Sequence, residues 1–216
     1  MTKVAILGSG SVGNTLSNGF LAHGHAVMRG SREPAKLDAW KQGAKGDTST
    51  GTFEEAAAWG EVVVLALKGT AAEAVVKSCA AGLAGKLVMD TTNPIAEAPP
   101  QNGVLLYFTQ QNDSLMEHLQ KAAPQANFVK AWSSVGNALM VNPKLPSTPT
   151  MFICGNDAGA KTRASEILKQ FGWDALDMGG VESARPIEAL CQLWCIPGFM
   201  KNDWVHAFKM LWPDKA

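Results

Sequence analysis

The sequence holds little of what metal, disulfide or polyanion chemistry requires. Its four cysteines (Cys79, Cys154, Cys191, Cys195) are scattered over 216 residues, a pattern that predicts reduced, packed thiols rather than a disulfide framework. Cys191 and Cys195 are four apart and can share a helix face. The four histidines (His23, His25, His118, His206) have no metal-ligand spacing with one another or with cysteine, so no metal site is expected. Neither charge predominates, with 19 basic residues against 19 acidic ones. Without a run of one sign, neither nucleic acid nor an anionic membrane surface is an expected partner. No stretch of about 18 apolar residues could span a bilayer. The chain enters an apolar strand directly after Met-Thr-Lys, without the longer apolar region and cleavage site of a secretory signal. A cytoplasmic location is the expectation.

What is present is a strand–helix alternation. Residues 3–7 read as a short buried strand, and Val12, Leu16, Phe20 and Leu21 follow at near-helical spacing. A second strand is predicted over 25–30 and a helix over 33–40, with Pro34 in its first turn. Thr52 and Glu55 fit a capping box for a helix through Trp59, and Thr70 and Glu73 fit another for a helix to Ala80. Further strands are predicted at 62–67, 86–90, 103–108 and 127–132, with a helix opening at Ser114. The alternation implies a parallel sheet with helices on both faces, an α/β fold of the doubly wound Rossmann type. Three prolines within 143–149 mark a boundary. It divides a dinucleotide-binding domain, 1–142, from a small α/β unit, 150–216, with a strand at 150–154, a helix at 157–171 and a strand at 173–177. A last helix over 182–195 carries Ile187, Leu190, Cys191, Trp194 and Cys195 on one stripe. Such a stripe needs covering, which makes a homodimer an expected assembly.

Gly8, Gly10 and Gly13 form G-x-G-x-x-G directly after the first strand and at the opening of a helix, the context that makes this motif specific. Gly8 permits the tight turn, Gly10 lets backbone amides approach a pyrophosphate, and Gly13 lets the helix pack on the strand. The helix N-terminus adds free N–H groups and a partial positive charge. About 20 residues on, an NAD-type protein ends its second strand on an acid for the ribose hydroxyl. Here the strand runs out into Gly30-Ser31-Arg32, and Pro34 assigns Glu33 to the following helix. A hydroxyl and a guanidinium at the strand tip, with Lys36 one turn on, suit a 2′-phosphate, so NADP(H) is the expected cofactor.

These segments resemble a known family, the NADP-dependent oxidoreductases of coenzyme F420 (a deazaflavin) and their bacterial relatives. The matching stretches are VAILGSGSVG at 4–13, GSR at 30–32, KLVMDTTNP at 86–94, KAWSSVGNALM at 130–140 and LDMGG at 176–180. The chain is also similar to the cytosolic reductase domain of six-transmembrane metalloreductases, which passes electrons through a flavin. The resemblance implies a Rossmann domain, a small C-terminal domain and a second redox ring stacked over the nicotinamide. It assigns Ser9, Gly10, Ser11 and Val12 to the pyrophosphate, and Ser31, Arg32 and Lys36 to the 2′-phosphate. Leu67, Asn93 and Pro94 would lie near the ribose and nicotinamide. Two departures leave the acceptor open: deazaflavin-using archaeal members carry a histidine where this chain has Ser133, and a proline and an aromatic in the segment matching Leu67-Lys68-Gly69.

Hydride transfer between two redox rings asks the protein for alignment more than for acid–base groups, so no catalytic side chain is assigned. Lys68, just after a strand end, can contact a cofactor ribose or a substrate anion, or be an ordinary loop lysine. Asn93 can hydrogen-bond the nicotinamide amide or ribose, or simply form an Asn-Pro turn. The expected activity is NADP(H)-dependent hydride exchange with a deazaflavin, flavin or similar acceptor. The alternatives are an imine or keto-acid reductase of the pyrroline-carboxylate reductase type and a non-catalytic NADP(H) sensor.

Overall fold

A computed structural model describes residues 1–213 of the chain; the last three residues of the expected 150–216 unit lie outside the described residues. Six strands, β1 (Lys3–Leu7), β2 (Ala26–Gly30), β3 (Thr48–Gly51), β4 (Val62–Leu65), β5 (Leu87–Asp90) and β6 (Asn127–Lys130), form one sheet. Their spatial order is β3-β2-β1-β4-β5-β6, and every neighbouring pair is parallel. Both faces are covered, which is why β4 is Val-Val-Val-Leu with no alternation and is buried throughout. One face packs on α3 (Phe53–Trp59), α4 (Gly69–Leu83) and α5 (Leu115–Ala122) through Ala56, Val76 and Leu119. The other packs on α1 (Ser11–Ala22) and α6 (Ala158–Gln170) through Leu16, Phe20 and Leu168. The fold is therefore the Rossmann-type doubly wound sheet that the alternation implies.

Helix starts follow local chemistry where a cap is available. The Glu55 amide donates to Thr52 Oγ1 and the Thr52 amide to Glu55 Oε2, completing the expected capping box of α3. Ser114 likewise caps α5. The expected Thr70–Glu73 box does not form, because α4 opens two residues earlier with Lys68 at its N-cap, and Glu73 pairs with Lys77 instead. Residues 33–40 do not form a single helix: a 3-10 turn, Pro34–Leu37, runs into the short α2 (Asp38–Gly43).

Two strands differ from expectation. The sheet's edge strand β3 reads Thr-Ser-Thr-Gly and has no apolar signature, since an edge position leaves it half-buried. The expected strand at 103–108 is a loop, tied by single bridges between Ile95 and Tyr107 and between Gln101 and Val104. Its place beside β5 is taken by β6. Leu105 and Tyr107 instead pack against the last helix.

Beyond the proline-rich segment, β7 (Thr150–Ile153) and β8 (Asp174–Asp177) form a two-stranded parallel sheet flanked by α6. The Lys130 amide donates to the Cys154 carbonyl, so this small sheet continues from the edge of β6. The final helix α7 (Ala184–Lys201) runs through Pro197 and ends later than expected. Its stripe of Cys191, Trp194 and Cys195 is buried against Leu105 and the partly buried Tyr107, Trp204 and Phe208 of the same chain. The chain thus covers this part of the stripe itself.

Candidate cofactor cleft

The glycine loop lies between β1 and α1, and its three glycines have different reasons. Gly8 has φ +146°, and a Cβ there would lie 2.0 Å from the Ala66 carbonyl oxygen; the neighbouring turn leaves no room for a side chain. A Cβ on Gly13 would lie 2.7 Å from the Gly8 oxygen, which keeps α1 tight on the loop. Gly10 is different, with nothing within 4 Å of its Cβ position. It is the N-cap of α1, with no side-chain cap and no acid in the first turn. The first N–H groups of the helix, with the positive end of its dipole, therefore face the exposed side of the loop.

Because β1 and β4 are neighbours whose following helices leave to opposite faces, a crevice opens at their C-terminal ends. It is a cleft of about 770 Å³ between Gly10–Val12, the turn at 66–70 and the segment 91–98. Of the expected residues it gathers Gly10, Ser11, Val12, Leu67, Lys68 and Asn93. Lys68 is exposed at the N-cap of α4. Pro94 is buried behind the cleft, its carbonyl accepting from the Phe108 amide. The walls at 66–70 and 91–94 touch, since a Cβ on Gly69 would come 2.0 Å from the Asn93 carbonyl oxygen. Asn93 Nδ2 donates to the Ser133 carbonyl at 2.8 Å, which fixes the amide, while its Oδ1 is buried with no partner. Ser133 Oγ is also buried and unpaired.

Ser31, Arg32 and Lys36 sit together at the tip of β2 but do not line this cleft. Ser31 is buried, and its Oγ accepts from the Glu33 amide at 3.2 Å. Arg32 is exposed. Lys36 is paired with Glu33 at 2.7 Å, both side chains exposed; the hydrogen bond and charge of Lys36 hold the Glu33 carboxyl below its ordinary range.

Two buried basic side chains escaped the reading by motif. Arg29 interrupts the apolar run of β2 and lies beneath the glycine loop, donating from Nη2 to the Gly8 oxygen at 3.1 Å. Lys130, at the end of β6, pairs with Asp90 of β5 at 2.6 Å and with Glu188 of α7 at 2.7 Å. The available signal was the same in both cases, a charge inside or ending a strand otherwise read as buried. None of the four histidines lines the cleft. His118 pairs with Asp113, His206 stacks on Trp194, and His23 and His25 pack against Phe171 and Phe20.

A parallel sheet in this order, with a glycine loop opening a helix and a cleft at the switch between β1 and β4, defines a Rossmann-type dinucleotide-binding protein. Residues 3–94 match the family described as NADP oxidoreductase, coenzyme F420-dependent. A crystal structure of a candidate F420-dependent NADP-reductase from Arthrobacter sp. FB24 superposes with a TM-score of 0.89 and 30% identity, covering 98% of this chain and 100% of that one. The chain belongs to this family and is an NADP-dependent oxidoreductase. It is 29% identical over 206 residues to the F420-dependent NADP reductase of Methanocaldococcus jannaschii, spanning 88% of this chain and 90% of the relative. It is also 30% identical over 200 residues to the metalloreductase STEAP3 of Rattus norvegicus, of whose length it spans 38%. Among the described residues no helix is long and apolar enough to cross a membrane.

Proposed function

We propose that the chain exchanges hydride between NADP(H), held along the C-terminal edge of the sheet, and a planar coenzyme of the deazaflavin or flavin type. Asn93 carries the reading: it lines the cleft, its Oδ1 is buried without a donor among the described residues, and its Nδ2 is already committed to the Ser133 carbonyl. A carboxamide N–H or a ribose hydroxyl is the complementary group. The open side of Gly10 and the uncapped start of α1 suit the pyrophosphate in the same way.

In this reading Gly8 and Gly13 shape the loop, while Ser9, Gly10, Ser11 and Val12 hold the pyrophosphate. Ser31, Arg32 and Lys36 hold the 2′-phosphate, with Lys36 exchanging Glu33 for it. Leu67, Lys68, Asn93 and Pro94 bound the ribose and nicotinamide. Residues 1–142 carry the cofactor, and the smaller unit from 150 onward supports the acceptor side. NADPH, when bound, supplies the hydride, and the chain contributes binding, orientation and exclusion of water. The titratable side chains that line the cleft are Lys68 and Glu97, both exposed. That suits hydride exchange between rings, which requires no proton donor held against a carbonyl.

Anaerobic NADPH oxidation, with deazaflavin, FMN and FAD offered in parallel, tests the reading. Stoichiometric reduction of one of them is expected. Tight NADPH binding with no acceptor reduced would overturn the acceptor assignment in favour of a small-molecule reductase or a sensor.

A further inference from the structure

Arg29 is 2% exposed in β2, beside the edge strand, yet among the described residues no carboxylate pairs with it. Its Nη2 donates to the Gly8 oxygen at 3.1 Å and to the Gly10 oxygen at 3.4 Å, and Nη1 to Asn14 Oδ1 at 3.4 Å. The guanidinium carbon lies 4.9 Å from the centre of the Trp40 ring, and Nε is buried without a partner. Burial alone perturbs the group, pulling its pKa down to about 10, which leaves it charged at neutral pH. A buried cation compensated only by carbonyls, an amide and an aromatic face is costly to the fold. Here it also lies beside the positive end of α1, so two positive fields add at one loop.

The carbonyl contacts have a directional consequence. In a planar trans peptide the C=O of one residue and the N–H of the next point in opposite directions. The Gly8 and Gly10 carbonyls are turned toward the guanidinium, so the N–H groups of Ser9 and Ser11 are turned away from it. That is the side on which Gly10 has open space and on which Ser11 lines the cleft.

We infer that Arg29 is a positioning residue for the dinucleotide pyrophosphate: it sets the polarity of the glycine loop and places a countercharge one backbone layer beneath the phosphates. The inference rests on the NADP(H) reading above and extends it to a residue outside the glycine motif and the strand tip. It differs from any role of Arg32 in a measurable way. The pyrophosphate is common to NADPH and NADH, whereas the 2′-phosphate belongs to NADPH alone.

The experiment is equilibrium binding of NADPH and of NADH to wild type, to the neutral variants Arg29→Gln and Arg29→Met, and to Arg29→Lys. Each protein is first checked for folding by circular dichroism. The neutral variants differ in packing, so that either folded one carries the test. The expected result is a loss of about 10- to 100-fold for both dinucleotides in the neutral variants. The NADPH-to-NADH ratio stays unchanged, and Arg29→Lys recovers most of the affinity. Inorganic pyrophosphate should raise the melting temperature of wild type and not of the neutral variants. Wild-type affinity in a folded neutral variant, or a loss confined to NADPH, would overturn the inference. An Arg29→Lys protein as weak as Arg29→Gln would overturn the countercharge. A folded wild type that binds neither dinucleotide would remove the NADP(H) reading itself and this inference with it.

Discussion

Lys130 Nζ lies 2.7 Å from Glu188 Oε1, with both side chains withdrawn from solvent, and this contact joins β6 to α7. The same ammonium is 2.6 Å from Asp90 Oδ2 and donates to the Thr92 carbonyl at 2.9 Å. Asp90 Oδ1 in turn accepts from the amide and hydroxyl of Thr92, and Glu188 accepts from the Leu115 and Met116 amides at the start of α5. The segment that presents Asn93 to the cleft is thereby tied to the last helix. Burial by itself would lower the Lys130 ammonium, but the charges of Asp90 and Glu188 more than offset it and hold the group above its ordinary range.

Lys130→Met should therefore cost about 3–5 kcal/mol, since it leaves two carboxylates buried without their cation. Urea denaturation measures it, and a loss below about 1 kcal/mol would show the network to be dispensable. The sign of the pH dependence follows from the raised pKa. The stabilisation is complete below the ordinary lysine value and disappears only as pH rises through the higher folded value. The contribution of this ammonium to the stability of the wild type should thus be flat across the neutral range.

Arg32→Ala should weaken NADPH by about 1–3 kcal/mol while hardly changing NADH, because a charge-assisted contact is lost only with the 2′-phosphate. Isothermal titration with both dinucleotides checks this. Equal losses would remove Arg32 from the 2′-phosphate site.

Gly10→Val and Gly8→Ala should fail in different ways. A Cβ at Gly10 meets nothing within 4 Å, so the protein should fold with an almost unchanged melting temperature while losing both dinucleotides. At Gly8 a Cβ meets the Ala66 carbonyl and the backbone sits at φ +146°. That substitution should destabilise the fold by more than about 1 kcal/mol, seen in thermal melts without any ligand. Retained dinucleotide affinity in a folded Gly10→Val protein would show that the loop is not the phosphate cradle.

Glu117 is held by Arg185 through hydrogen bonds of 2.6 and 2.9 Å. These bonds keep its carboxyl below the ordinary glutamate range, opposed by partial burial and aided by Ser114. A depressed folded pKa gives stability that is present above the ordinary value and lost as pH falls through the folded one. Glu117→Gln should accordingly flatten the acid side of the stability–pH curve, with a loss near neutrality of less than about 1 kcal/mol for a partly exposed pair. An acid limb as steep as that of wild type would assign acid lability to other carboxylates.

The sequence by itself determined the features whose physics is local. The apolar runs of β1, β2, β4 and β5, the caps at Thr52 and Ser114, and the spacing of Gly8, Gly10 and Gly13 each depend on residues a few positions apart. They sufficed for the four inner strands of the sheet, for the glycine loop and for the turns after β4 and β5 that carry Leu67 and Asn93. Tertiary structure decided what depends on distant partners. Thr48–Gly51 is a strand only because the edge of β2 offers it a ladder, and 103–108 is not one because β6 occupies that ladder and α7 takes its apolar side chains. Arg29 and Lys130 carry charge in strands that hydrophobicity alone marks as interior. Their roles come from a loop, two carboxylates and a helix start that meet them only once the sheet has closed over them.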